Sequence, residues 1–413
     1  MNFNYFKTVL EETKELAFSQ VLIIVLLFIQ ISVVTRGLGT SNYGRAALVL
    51  ALVALIFRTF HSRNSEVTLL MLKKHGKNIY SVSLLFDIFI GIISMLLCVI
   101  LFQSSINTLF GDYQFNTILL ILLLSRVIQT LSESSKAVLT FYGKFKKFAI
   151  VDSVSNIFRF VAIILLFYFE KSIENYLIGQ SIFSITYGLF GVFVCRDYLK
   201  ISDISFKNIK GYLLVFKLDF YKQRVDQLVG IIPQHLDLII LGYFTDFSTV
   251  GIFRIAKRLV EPINYAITIL NPYVQNQLSR EDKDINFKDL IKNFLIPLIL
   301  VLTISYLSFG KNFIEFLSGK EFIEAYYPML ILLIGYCTYL ATFWIRQLLL
   351  FNDLLQHHAV SKVISTVSFL VFSYFFVNQY GASGLAIALS ISMILQKVYE
   401  FYIFNKFTKQ TNK

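Results

Sequence analysis

Charge is scarce in this sequence, and acidic charge scarcer still. Charged residues fill only 15% of 413 positions, with 26 Asp and Glu against 38 Lys and Arg; soluble domains carry about 25%. Cysteine is nearly absent. Cys98, Cys195 and Cys337 lie in apolar runs without a C-x-x-C spacing, so they read as small core residues. No G-x-x-x-x-G-K-[ST] occurs, which excludes an intrinsic P-loop ATPase motor, and neither H-E-x-x-H nor G-x-S-x-G is present. The D-x-D at Asp282-Lys283-Asp284 stands in a short charged loop with no nucleotide-binding domain beside it and reads as solvated. The first apolar run, 16–34, lacks an A-x-A cleavage pattern and is expected to remain as a span. On these grounds no cofactor and no enzymatic activity are expected.

Apolar sequence is what the chain has in abundance: 56% hydrophobic residues and a mean hydropathy of +0.66. Apolar runs of about twenty residues recur to the C-terminus, the length that crosses a bilayer as a helix. The polar gaps are too short for a soluble domain. The expected fold is all-α, a polytopic membrane protein of about twelve spans in two six-helix lobes, 1–200 and 211–413. The first six spans read as 16–35, 43–61, 78–102, 115–141, 148–169 and 174–195. The second six read as 211–243, 248–276, 288–309, 325–350, 357–377 and 381–404. The net charge of +12 would suggest nucleic acid in a soluble protein; here the positive-inside rule accounts for most of it, and no nucleic-acid partner is expected. One set of loops holds Arg63, Lys73, Lys74 and Lys77, then Lys144, Lys146 and Lys147, then Arg196, Lys200, Lys207 and Lys210, then Arg280, Lys283, Lys288 and Lys292, and the tail adds Lys406, Lys409 and Lys413. The alternate set holds little beyond Arg36, Arg45, Lys171, Lys311 and Lys320. That asymmetry places both termini in the cytoplasm. Outer loops are short, the longest being 310–324.

The charges inside the apolar runs are the candidate functional residues. Each is expensive at mid-bilayer, by about 2.5–3.5 kcal/mol, so such a helix is expected to face a wet cavity rather than lipid. In 211–243, Lys217, Arg224 and His235 fall on one line of a helix, and Asp219, Asp226 and Asp237 on the opposite line. A second reading makes 211–226 a cytoplasmic amphipathic helix, with only 228–244 spanning. In the next span Arg254, Lys257, Arg258 and Glu261 share one face. The fourth span aligns Arg126, Gln129, Thr130 and Glu133, with Lys136 in reach of Glu133; the tenth aligns Thr338, Thr342 and Arg346. Arg58 and His61 read as interfacial anchors, Arg159 lies nearer mid-membrane, and Asp87 reads either as a coupling acid or as half of a buried pair. The positive excess favours an anionic ligand, and guanidinium forks match phosphate oxygens. The expected substrate-binding residues are therefore Arg126, Lys217, Arg224, Arg254, Lys257, Arg258 and Arg346. Asp219, Asp226, Asp237 and Glu261 are the expected ion-coupling acids. Static intramembrane ion pairs are the competing reading for both sets.

The chain also looks duplicated. Phe148–Phe169 lines up with His358–Gln379 at an offset of 210, and Thr40-Ser41-Asn42-Tyr43-Gly44 resembles Ser248-Thr249-Val250-Gly251 at nearly the same offset. A hinge follows a Leu-Gly pair in both places, Leu38-Gly39 and Leu241-Gly242. Parallel six-span halves with the substrate between them are a transporter plan.

Four stretches give a family resemblance. They are Thr35-Arg36-Gly37-Leu38-Gly39 with Tyr43-Gly44; Leu236-Asp237-Leu238-Ile239-Ile240-Leu241-Gly242 with Val250-Gly251-Ile252-Phe253; Gly319-Lys320-Glu321-Phe322 with Tyr327-Pro328; and Gln379-Tyr380-Gly381-Ala382-Ser383-Gly384. In order and spacing the set resembles the O-antigen and polysaccharide repeat-unit flippases, whose superfamily also holds MATE transporters and lipid II flippases. The resemblance implies alternating access for an undecaprenyl-pyrophosphate-linked oligosaccharide, moved from the inner to the outer leaflet of the bacterial inner membrane and coupled to an ion gradient. It further implies a polysaccharide polymerase and a chain-length regulator as partners. Two other readings stay open: a drug or metabolite exporter, which would favour an acidic cavity, and a membrane enzyme such as a repeat-unit polymerase, which would favour a large outer loop.

Overall fold

The computed structural model describes residues 3–61, 64–75, 79–109, 113–200, 209–213, 235–267, 291–351 and 354–411, with isolated positions 204, 233 and 270. Among the described residues there is helix and no strand, as the apolar runs require: backbone polar groups in hydrocarbon must be satisfied within their own segment. The helices are α1 (Phe3–His61), α2 (Asn64–His75), α3 (Tyr80–Leu109), α4 (Tyr113–Phe141), α5 (Phe145–Phe169) and α6 (Ile173–Val194). They continue with α7 (His235–Phe244), α8 (Phe247–Val260), α9 (Ile296–Ser318), α10 (Tyr326–Phe351) and α11 (Leu355–Thr411). Two of these are pairs of helices joined at a break. Gly39 interrupts α1 at φ 70°, and Gly381 interrupts α11 at φ 50°; both values lie where only glycine is unstrained. The two breaks fall where the sequence reading separates the first span from the second and the eleventh from the twelfth.

α9 departs from that reading. Its span was expected to end at 309, followed by an outer loop, but the helix runs on to Ser318 and a 3-10 segment, Lys320–Ala325, completes the connection. The physical reason is burial of Ile314, Leu317 and Phe322 in one continuing apolar stripe. Gly319, at φ 96°, stops the helix.

The chain forms two compact units. One comprises Val21–Leu38 and Val49–Ile231; the other comprises Met1–Gln20, Gly39–Leu48 and Ile232–Lys413. In the first unit α4 packs along α6, and small residues set the approach. A Cβ at Gly188 would overlap the Ile128 carbonyl, and one at Gly191 would press on Ser135 at 3.3 Å. Buried hydroxyls tie the helices across: Tyr80 to Ser135 at 3.0 Å, and Thr68 to Tyr212 at 3.1 Å. In the second unit α10 packs along α11, with Gly335 against Ser390 and the Ser390 hydroxyl donating to the Ile331 carbonyl at 2.7 Å. Exposed aromatics mark span ends, Tyr168 (84%) and Phe169 (81%) on α5 and Tyr243 (83%) on α7, the placement interfacial aromatics take.

Candidate functional site

α8 is where the second unit concentrates intramembrane charge. Asp246 caps the helix, accepting from the Thr249 backbone N–H at 2.8 Å. Hydrogen bonds from Thr249, side chain and backbone, hold the Asp246 carboxyl below the usual carboxylate range. Beyond the cap, Val250, Phe253, Ile255, Ala256 and Leu259 are fully buried. The opposite stripe presents Arg254, Arg258 and Glu261. Arg258 Nη1 lies 2.6 Å from Glu261 Oε2, and Arg254 Nη1 lies 4.0 Å from Glu261 Oε1. The Glu261 carboxylate thus faces two guanidinium groups, all three half-buried. Lys257 turns the other way and forms a buried ion pair with Asp237 of α7; the other Asp237 oxygen accepts from the Leu238 N–H at 2.8 Å. The Tyr306 hydroxyl donates to the Leu259 carbonyl at 2.5 Å, fixing the end of α8 against α9. Tyr336 of α10, hydrogen-bonded to Asn264, lies within electrostatic range of Asp237, Arg254 and Glu261.

A second polar cluster joins the two halves of α11. Glu400, with no exposed surface, accepts from His358 Nδ1 (2.9 Å), the Ser361 hydroxyl (2.8 Å) and the Gln396 amide (3.1 Å) on one oxygen, and from Lys397 Nζ (2.7 Å) on the other. The Lys397 ammonium also lies 4.2 Å from the Tyr339 ring centroid. Arg346 sits here, within electrostatic range of His358 together with Lys362. Ten residues separate Arg346 from Tyr336, roughly 15 Å along the helix, so Arg346 belongs to this cluster and not to the α8 stripe. Thr338 and Thr342, its partners in the sequence stripe, donate to the carbonyls of Ile334 and Thr338 in their own helix.

In the first unit Arg126 is the centre. Its Nη1 donates to Gln129 Oε1 at 2.7 Å, the same oxygen accepts from Ser184 at 3.0 Å, and its buried Nε has no hydrogen-bond partner. Arg58 and Arg159 lie within electrostatic range, as does the Tyr176 hydroxyl. Arg159 stacks over Phe183 at 4.9 Å. Arg58 of α1 and Arg159 of α5 thus act electrostatically on Arg126 of α4. Lys136 is not with Glu133: its ammonium faces the Phe148 ring at 5.3 Å, and no ion pair joins the two among the described residues. Asp87 is buried and accepts from Ser134, at 3.1 Å from the backbone N–H and 2.5 Å from the hydroxyl. Lys217, Asp219, Arg224 and Asp226 lie outside the described residues.

The family described as polysaccharide biosynthesis protein matches residues 33–327, most of the chain. The chain belongs to that family. No curated protein matches it in sequence. Among solved structures, the lipid II flippase MurJ in an inward closed conformation superposes with a TM-score of 0.77 at 18% identity, covering 94% of this chain and 87% of that one. An inward-facing multidrug-resistance MATE transporter of the MOP superfamily gives 0.73 at 12% identity, covering 94% and 95%. The Vibrio cholerae MATE transporter VcmN gives 0.63 at 12%, covering 98% and 97%. The fold of this polysaccharide biosynthesis family member is therefore that of the MurJ and MATE polytopic membrane proteins. The sequence reading missed the grouping of Arg58 and Arg159 with Arg126, and the whole Glu400 network. The signal for the second was there: Gln396, Lys397 and Glu400 interrupt an apolar run at helical spacing, as Arg254 to Glu261 do.

Proposed function

We propose that this protein is a flippase for a lipid-linked oligosaccharide, moving an undecaprenyl-pyrophosphate carrier from the cytoplasmic to the periplasmic leaflet of the bacterial inner membrane. Both termini are then cytoplasmic, movement proceeds by alternating access of two six-span lobes, 1–200 and 211–413, and no bond is made or broken. The observation that supports this reading is the grouping of arginines within the spans: Arg58, Arg126 and Arg159 in one unit, and Arg254 and Arg258 sharing the Glu261 carboxylate in the other. Arginines in apolar helices are kept beside water, a partner charge or an anion, and guanidinium forks suit phosphate oxygens. The family described as polysaccharide biosynthesis protein supports an oligosaccharide as the carried group. Arg254 and Arg258 in the second unit are the headgroup ligands, and Arg126 is a separate phosphate-binding candidate in the first; Lys217 and Arg224 are candidates of the same kind. Lys257 is neutralised by Asp237 and serves the site through charge balance. Glu261 and Asp237 are the acids placed to exchange a cation, because each faces basic groups whose balance a bound anion would change. In a deletion strain, lipid-linked repeat unit should accumulate in the cytoplasmic leaflet and clear on complementation. Normal surface polysaccharide in that strain, with no accumulation, would end this reading.

A further inference from the structure

Two turns far apart in sequence form one surface at one end of the first compact unit. Gly143, at φ 64°, ends α4, and the Lys144 N–H donates to the Leu139 carbonyl at 2.8 Å. That turn lays the Tyr142 ring on the Tyr198 ring, centroids 4.7 Å apart and planes 17° apart. The Lys144 ammonium lies 5.0 Å from the same Tyr198 ring, and the Arg196 guanidinium lies 4.8 Å from the Phe193 ring. The second turn is pinned to α3 as well. The Lys200 N–H donates to Ser81 Oγ at 3.0 Å, and the Ser81 hydroxyl donates to the Lys200 carbonyl at 2.8 Å. Lys144 and Lys147 both lie within electrostatic range of Cys195, which sets the start of α5 beside the end of α6.

The surface is basic and aromatic at once. Residues 142–147 and 196–200 hold Lys144, Lys146, Lys147, Arg196 and Lys200 against one acid, Asp197. Lys146, Lys147, Arg196 and Lys200 are exposed, and so are Phe141, Tyr142, Phe193 and Leu199 among them. The other end of α5 is the internal comparison, about 35 Å away along a 25-residue helix. Tyr168 and Phe169 are exposed there too, but Glu170 balances Lys171. Exposed rings settle at headgroup depth at both ends; only the 142–200 end adds a charge excess. At that depth the groups within reach are lipid phosphates. A zwitterionic headgroup brings no net charge to balance the excess, whereas an anionic one does, by about fivefold in affinity for each basic residue. The stacked rings and pinned turns hold the charges in place, so less freedom is lost on binding.

We propose that the surface formed by Tyr142–Lys147 and Arg196–Lys200 is a docking site for the headgroups of anionic phospholipids. It requires only that α4, α5 and α6 span a bilayer, so its failure would leave the flippase reading untouched. The test uses full-length protein carrying Tyr142→Trp, reconstituted in phosphatidylcholine vesicles. At one mole fraction, either phosphatidylglycerol or phosphatidylcholine carries brominated chains, which quench tryptophan on contact. Trp344, the one native tryptophan and 6% exposed, gives a background that is measured in the parent and subtracted. Phosphatidylglycerol should be favoured at position 142 by about fivefold or more, the effect of one basic residue. The same measurement at Tyr168→Trp should show no preference. Raising salt to about 1 M, where the screening length is about 3 Å, should remove the preference at position 142. Lys144→Gln with Lys147→Gln and Arg196→Gln should remove it at low salt. Equal quenching by the two lipids at position 142 would overturn the proposal, as would the same preference at position 168. Preference that survives high salt would overturn it as well, and this arm decides if the triple Gln variant does not fold. Loss of the preference on adding one undecaprenyl pyrophosphate per protein would assign the surface to the carrier lipid and overturn the proposal too.

Discussion

Glu400 receives four donors while exposing no surface, so its ionised form is held in place by groups that all belong to α11. Removing one partner of a buried pair costs about 3–5 kcal/mol, because the other charge is left uncompensated. Lys397→Met and Glu400→Gln should each lower the thermal midpoint in detergent by several degrees, and the double variant should lose less than their sum. Additive losses would show that the two are not coupled. The α8 arginines make a different demand. An ion pair with Glu261 needs charge alone, whereas a phosphate site needs the planar fork. Arg254→Lys with Arg258→Lys should therefore abolish restoration of surface polysaccharide at normal abundance; full restoration would remove bidentate phosphate holding. At this scale the sequence was readable where charges repeat along one helix, as at Arg254, Arg258 and Glu261. It was unreadable where partners come from different helices. Helical spacing alone could not tell that Lys257 turns to Asp237, that Arg346 joins His358, or that Arg58 approaches Arg126.

At the scale of elements, breaks and caps decide where apolar chain becomes two spans. Gly39 and Gly381 were legible because a Leu-Gly or Tyr-Gly step sits between two runs of spanning length. The end of α9 was not, because Lys311 and Glu315 look like loop residues until Ile314 and Leu317 on the same turns are seen to be buried. Asp246 offers a quantitative check on one such boundary. Replacing an Asp cap by Ala costs about 1 kcal/mol. The sign of its pH dependence follows from the lowered folded-state value. The ionised cap stabilises above the unfolded-state value of about 3.9, and that stabilisation disappears as pH falls through the lower folded-state value. The difference in thermal midpoint between wild type and Asp246→Ala should be flat from pH 8 to 5 and shrink below about pH 4. A difference that vanished already between pH 7 and 6 would assign the effect to another group.

For the molecule as a whole, the all-helical polytopic architecture followed from run length alone, since a bilayer leaves helices few alternatives when each must satisfy its own backbone. Orientation is a separate matter, set by loop charge, and the loops supply it independently of packing. Lys144 stands at the turn between α4 and α5, its ammonium 5.0 Å from the Tyr198 ring centroid, where the hydrogen bond it donates to the Tyr198 hydroxyl oxygen raises its pKa. Arg196, at the end of α6, lies 4.8 Å from the Phe193 ring. Both thus hold basic charge at one end of their helices, beside aromatic rings that favour the interface. The opposite ends, at Glu170–Ser172 between α5 and α6 and at Thr245–Asp246 between α7 and α8, carry acid with at most one lysine. If the positive-inside rule governs, reporter fusions after Lys147 and Lys210 should report cytoplasm, and a fusion at Asp246 should report periplasm. The Ser248 hydroxyl donates to Thr40 Oγ1 at 2.7 Å, so a maleimide confined to the outside must find both on the same face as the Asp246 fusion. Periplasmic signals after both Lys147 and Lys210 would invert the whole arrangement and move the Thr40–Ser248 contact to the inside.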